Sequence, residues 1–350
     1  MPGLRRLLLL FFIASPLFAV GEDISQFYKN GMDAYKNGQY DLAIQEFESI
    51  LSNNWDSEIF QHGNNMIKDN TPDSPSPFLK IRASDFKVDP KLVAMCVGYE
   101  NGEWREEQLI EHALEWLPEF ALKHSEWNSL GAANAVKLIR KAAKSIYKTE
   151  KFEKRGEFGE LFLHMILRQV FGTIPAICKM HYKDSRNDTV KGFDCVHAVP
   201  TRTGLELWIG EVKFYKEINS AIRDVIAGLH AHTERDYLRD EFAAITNKID
   251  DSWSYSVKLK LLLNDNTSLD EIFESVSLPV LLTYDSKVIN KHTKITEEFK
   301  LGFSEEVRKN WIKFKDKELP KEVNIHLILL PLKSKASLQD KLHKELQIWN

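Results

Sequence analysis

Apolar and polar positions follow two rhythms along this chain. Spacing of three or four, the mark of a helix with one apolar face, runs through Glu106–Leu122 (Leu109, Ala113, Leu117) and Ala132–Tyr147 (Val136, Ile139, Ala143). The same spacing predicts helices over Arg155–His164, Ser220–Asp236, Phe303–Leu319 and Ser337–Ile348. Strand-like runs occupy Phe78–Arg82, Leu92–Val97, Leu205–Tyr215, Ser277–Tyr284 and Asn324–Leu332. The last is nearly all apolar, as a strand covered on both faces would be. An apolar segment, Thr173–Tyr182, lies between the helix at Arg155–His164 and the strand at Leu205–Tyr215.

The N-terminal part has a different texture. Arg5 and Arg6 precede an apolar run, Leu7–Ala14, and small residues follow at Ala19 and Gly21, so residues 1–21 read as a signal-peptide-like segment. Ser15-Pro16 interrupts that run and leaves it too short for a comfortable membrane span. Residues 22–54 read as a helical hairpin, with Gly31, Gly38, Tyr40, Ala43 and Phe47 at the spacing of a single tetratricopeptide repeat. One such repeat cannot bury its own face. Residues 55–77 read as a linker, punctuated by Thr71-Pro-Asp-Ser-Pro-Ser-Pro77. Two parts are then expected, an N-terminal α+β and helical part over 78–150 and a core over 151–350.

Composition narrows the function classes. The 350 residues are 43% hydrophobic and 28% charged, enough apolar content for a sizeable core. The formal net charge is −4 and the isoelectric point is near 6.3, which lacks the footprint of an autonomous DNA binder. Three cysteines, Cys96, Cys178 and Cys195, show no C-x-x-C spacing, and their odd number argues against a disulfide framework. A reducing compartment follows from the cysteines, and export from the signal-like segment; the two expectations conflict. No G-x-x-x-x-G-K-[ST] run is present, so an ATP-driven motor would have to belong to a partner.

The chemistry concentrates between Arg155 and Tyr215. Glu211 and Lys213 are two apart, so in a strand both leave one face while Val212 leaves the other. Asp194 precedes Glu211 by one strand and a turn at Arg202-Thr-Gly204, which brings the two carboxylates and the ammonium toward one sheet edge. A helix carrying Glu160 would pack close behind. Carboxylates hold a hard cation such as Mg²⁺ against phosphate, and a lysine beside them orients water or stabilises the developing charge. A Glu-x-Lys pair alone is commonly a solvated strand face. Here the pair ends an otherwise apolar strand (Leu205, Leu207, Trp208, Ile209), which marks it as a site candidate.

This Glu…Asp…Glu-x-Lys order resembles the PD-(D/E)xK nuclease superfamily. The resemblance implies an α/β restriction-endonuclease-like fold, a mixed sheet flanked by helices. It further implies Glu160, Asp194, Glu211 and Lys213 as catalytic residues, with Asp194, Glu211 and Glu160 on Mg²⁺ or Mn²⁺. Phe193 stands where the superfamily usually has proline. Four blocks carry a narrower likeness: Arg155-Gly-Glu-Phe-Gly-Glu160, Pro175-Ala-Ile-Cys-Lys-Met180, Val190-Lys-Gly-Phe-Asp194-Cys-Val-His197 and Leu207-Trp-Ile-Gly-Glu211-Val-Lys213-Phe-Tyr215. They resemble the HamA family, nuclease subunits of the Hachiman anti-phage defence system, from about Pro77 onward. That resemblance implies a cytoplasmic DNA-degrading effector, a superfamily 2 helicase partner (HamB-like) and restraint until DNA is engaged. The signal-like segment and the lone repeat are foreign to it.

Other candidates are weaker. His230-x-His232 on a helix points two ways and makes a poor metal pair; His164 and His181 read as packed or surface histidines. Glu157 shares a helix face with Glu160, as metal support or as a salt-bridge partner. The lysines between Lys287 and Lys317 are interleaved with Glu297, Glu298, Glu305 and Glu306, the pattern of a solvated face. Two rivals accompany the nuclease reading, a module that binds DNA or the helicase without cutting and an exported scaffold.

Overall fold

The chain divides into two units, Met1–Lys68 and Asp69–Asn350. The computed structural model describes residues 33, 74–147, 156–177, 192–201, 204–320 and 323–349. The signal-like segment, the repeat-like hairpin (Asp33 aside) and all but the last residues of the expected linker lie outside that set, as do His181 and Cys178.

The second unit is built on a seven-stranded mixed sheet. Its N-terminal part supplies β1 (Lys80–Asp85), β2 (Lys91–Cys96), the short hairpin β3 (Tyr99–Glu100) and β4 (Glu103–Trp104), and helices α1 (Glu106–Glu115), α2 (Leu117–Ala121), α3 (His124–Asn128) and α4 (Ala135–Tyr147). Next come α5 (Glu157–Phe171), β5 (Ile174–Ile177), β6 (Cys195–Pro200) and β7 (Leu205–Phe214). Helices α6 (Ile218–Thr233), α7 (Arg235–Lys248), α8 (Ser256–Leu262) and α9 (Leu269–Phe273) lead to β8 (Val276–Asp285). The chain ends with α10 (Lys287–Lys291), α11 (Glu297–Lys315), β9 (Asn324–Leu332) and α12 (Lys335–Trp349).

The sheet order is β1-β2-β9-β8-β7-β6-β5. The four central strands β2, β9, β8 and β7 run parallel, and antiparallel partners flank them at each side. Burial follows from that order. Apart from Asp285 and Asn324 at their ends, β8 and β9 are buried along their whole length, as parallel strands covered on both faces must be. The edge strand β1 is largely exposed and carries Lys80, Arg82 and Asp85, charges that discourage edge-to-edge pairing. This mixed sheet flanked by helices is the architecture expected from the sequence.

Two expected helices change form. Glu106–Leu122 is broken at Trp116, where Pro118 enters the first turn of α2; proline cannot donate into the preceding helix. In α4 the buried side is Leu138, Ala142, Ala143 and Ile146, while Val136, expected inside, is 58% exposed. Val136 lies only about 20° around the helix from the fully buried Ala143, so its exposure follows from its place as the second residue of α4, at the end of the helix, rather than from the facing of the helix.

Two glycines set the spacing around β7. A Cβ at Gly159 of α5 would lie 2.9 Å from Phe214 Cβ and 3.0 Å from Val212 Cγ2. On the other face, a Cβ at Gly228 of α6 would meet Glu211 Oε1 at 3.2 Å and Lys213 Nζ at 3.9 Å. Val212 and Phe214 therefore face α5, and Glu211 and Lys213 face α6. The alternation read from the sequence holds.

Candidate active site

The β6–β7 hairpin aligns the predicted site residues. Cys195 pairs with Gly210 and Pro200 with Leu205, and the turn closes through the Gly204 carbonyl, which accepts from Thr201 N–H at 3.0 Å. Asp194 precedes β6. Its backbone N–H donates to the Gly210 carbonyl at 2.7 Å, and its Oδ2 accepts from the Val212 N–H at 2.8 Å. The Asp194 side chain is thus tied to the residue between Glu211 and Lys213.

Glu211 is buried, and its carboxylate is bracketed by cations. Lys213 Nζ donates to Oε1 at 2.5 Å, and His232 Nδ1 lies 3.3 Å from Oε2. Burial pushes the Glu211 carboxyl up, but His232 and Lys213 more than offset it and hold the group below the ordinary carboxylate range. Burial pushes the Lys213 ammonium down; Glu211, and after it Asp194, outweigh this and hold it above the ordinary lysine value. Both groups are therefore charged at neutral pH.

A cavity of about 970 Å³ opens beside them, with Glu160, Asp194 and Lys213 on its wall, and Lys216, Arg223 and Lys335 among its other linings. Glu160 reaches it from the first turn of α5, next to Gly156; acidic residues in a first turn are favoured by the helix dipole. The structure thus brings Glu160, Asp194 and Lys213 to one cavity and sets Glu211 beneath Lys213, on the α6 side of β7. Glu157 is buried in the same first turn of α5.

The donor set suits a hard cation in kind. Mg²⁺ is commonly held by one or two carboxylates, with waters and substrate phosphate completing its shell. Glu211 Oε2 is buried and accepts no hydrogen bond within the standard geometry, which leaves an acceptor for such an ion. Among the described residues, no three His, Cys, Asp or Glu side chains are gathered into a cage for a metal, so Glu160, Asp194 and Glu211 do not form one as they stand.

Spacing alone did not reveal His232. His230 and His232 do diverge, as expected: His230 Nε2 lies 2.8 Å from the Glu318 carbonyl oxygen, while His232 turns to Glu211. The His232 ring stacks on Tyr237 at 4.9 Å and meets the edge of Phe193, which stands before Asp194, at 5.3 Å. A pairwise rule within one helix carries no information about a carboxylate on a neighbouring strand.

A second polar cluster lies on the wall of a separate cavity of about 570 Å³, which Asp194 also borders. His164 is packed, one of the two readings left open by the sequence, and links Glu119 Oε2 (3.1 Å from Nε2) to His197 Nε2 (3.1 Å from Nδ1). His197 Nδ1 reaches Thr173 Oγ1 at 2.7 Å, and Arg168 Nε donates to Glu119 Oε2 at 3.0 Å. Burial pushes the Glu119 carboxyl up, yet Arg168 and His164 bring it down to about 2. Burial, reinforced by His164 and Arg168, holds His197 well below its ordinary value and therefore neutral.

A helix, a three-stranded antiparallel meander and a parallel fourth strand, with carboxylates and a lysine where they meet, define a restriction-endonuclease-like α/β protein. The model of the HamA family matches residues 72–346, most of the chain, and the protein belongs to that family. Membership associates it with Hachiman defence. No curated protein matches the chain. No helix among the described residues is long and apolar enough to cross a membrane.

Proposed function

We propose that this HamA-family protein is a metal-dependent DNA nuclease, the effector of a two-component anti-phage defence complex whose other part is a superfamily 2 helicase. The observation that carries the reading is the convergence of Asp194, Glu211 and Lys213 on one β-hairpin beside a cavity of about 970 Å³. Asp194 and Glu211 would hold Mg²⁺ or Mn²⁺, with Glu160 assisting through the ion or through water. Such an ion offsets charge on phosphate and lowers the pKa of a coordinated water. Lys213 keeps its proton and offers it as a hydrogen bond to the phosphate or to the attacking water. His232 holds the carboxylate of Glu211 from the α6 side, and the Val212 N–H fixes Asp194.

The test is degradation of plasmid and linear DNA by the purified protein with its helicase and ATP, in Mg²⁺ or in EDTA. Wild type should degrade DNA only with metal, and Glu211→Ala/Lys213→Ala should leave it intact. Intact DNA under every condition would overturn the catalytic reading. The ion pair from Lys213 to Glu211, and the lack of a three-carboxylate cage among the described residues, favour one alternative, a module that holds DNA or the helicase without cutting. DNA binding without any metal-dependent loss of DNA would establish it.

A further inference from the structure

Charge is not spread evenly over this molecule. In the lysine-rich stretch after Lys287 the cations are interleaved with acids, and two of them are paired: Lys291 with Glu298 at 2.7 Å and Lys300 with Glu297 at 2.6 Å. Helix α4 is different. It holds Lys137, Arg140, Lys141 and Lys144 and no acidic residue, in a chain whose formal net charge is −4. The four cations lie within roughly one quarter of the helix circumference at about 100° per residue, opposite Leu138, Ala142 and Ile146. Lys141 pairs with Glu126. Lys137, Arg140 and Lys144 are exposed and form no ion pair among the described residues.

Helix α4 touches an element that lines the proposed site. Its buried side packs on α2 and α12, and α12 presents Lys335, Ala336 and Gln339 to the cavity that holds Asp194 and Lys213. Gly156, a short connection beyond the end of α4 in sequence, lines the same cavity. Helix α12 therefore stands between α4 and the proposed cleavage site, and Lys137, Arg140 and Lys144 lie on the side of α4 opposite its packed residues.

We infer that the exposed face of α4 is a track for the phosphate backbone of DNA, with Lys137, Arg140 and Lys144 each facing a phosphate. The inference rests on the nuclease reading for its choice of DNA as the ligand. Duplex DNA carries one negative charge per roughly 1.7 Å of its axis, so a row of cations releases counterions when it binds.

The experiment is fluorescence anisotropy with a short fluorescein-labelled duplex in EDTA, where the DNA stays whole, using the full chain across a series of salt concentrations. Lys137→Gln/Arg140→Gln/Lys144→Gln should weaken binding by about tenfold or more at low salt and flatten the slope of log affinity against log salt by about 2 to 3. The charge-keeping Lys137→Arg/Arg140→Lys/Lys144→Arg should restore both, which separates charge from folding. Unchanged affinity and slope in the neutralised variant would overturn the track, including the case in which that variant instead loses the helicase and so reveals an acidic protein partner. Cleavage is scored separately. Binding lost in the neutralised variant of a protein that never cuts keeps the track and removes the nuclease. Cutting with an unaltered salt slope does the reverse.

Discussion

Asp194 borders two cavities, and the buried polar clusters beside them are made differently. On one side, Glu119, His164, His197, Thr173 and Arg168 form a closed chain in which each side chain has a partner, with a charge pair, Glu119 and Arg168, at one end. On the other, Glu211 is held by Lys213, leans on His232 at 3.3 Å, and keeps an oxygen that accepts no hydrogen bond. Saturation of hydrogen bonds rigidifies a core, and partial saturation leaves capacity for something that arrives later. The first cluster therefore reads as structure and the second as a site. A count of buried charges would not have separated them.

The sharpest way to break that contrast is to open the saturated cluster. Glu119→Ala leaves the Arg168 guanidinium, 11% exposed, without its carboxylate, and should cost about 3 to 5 kcal/mol of stability in denaturant titration. DNA cleavage per folded molecule should stay near wild type. The site should answer in the opposite way. Lys213→Ala should lower cleavage by about 100- to 1000-fold, with a smaller loss of stability than Glu119→Ala because the buried Glu211 carboxylate keeps His232 beside it. A large stability loss there with cleavage retained would erase the distinction.

Acid probes the saturated cluster by another route. His197 is held neutral, so below its ordinary 6.5 the unfolded chain binds a proton that the folded chain refuses. Glu119 repeats this lower down, between its ordinary 4.5 and about 2 in the folded state. In both windows the unfolded state carries more protons, so stability rises with pH and is lost as pH falls. Wild type should lose a few kcal/mol on acidification, and Glu119→Gln should flatten the lower window. Chemical unfolding at stepped pH reads both. The smallest expected effect is at His232: His232→Ala should lower cleavage about tenfold, as removal of a residue that orients a metal-binding carboxylate does. A pH–rate profile that changes shape in His232→Ala and returns in His232→Gln toward wild-type rates would separate orientation from packing.

The sheet was legible where its strands are most apolar. Asn324–Leu332 and Ser277–Tyr284 announce covered parallel strands, and the end of Leu205–Tyr215 announces Glu211 and Lys213 as a pair. The helices α7, α8 and α9 were not legible, because they are short or mixed and are held by neighbours rather than by their own pattern. Glu119 passed as an ordinary helix carboxylate, since its partners stand on α5, far along the chain. His232 escaped for the same reason. Spacing reports which residues share a face of one element; it is silent on what another element brings against that face.

The grip of α5 and α6 on β7 has a consequence of its own. With Gly159 on one side and Gly228 on the other, the strand lies in a vice whose jaws have no cushions, and Glu211 and Lys213 are set in register by missing atoms. Such a site is intolerant of growth at its two flanks. One added methyl group on either jaw would have to be accommodated by moving a helix or the carboxylate itself. The tolerance of this hairpin is therefore written less in the residues that act than in the two positions beside it that carry no side chain.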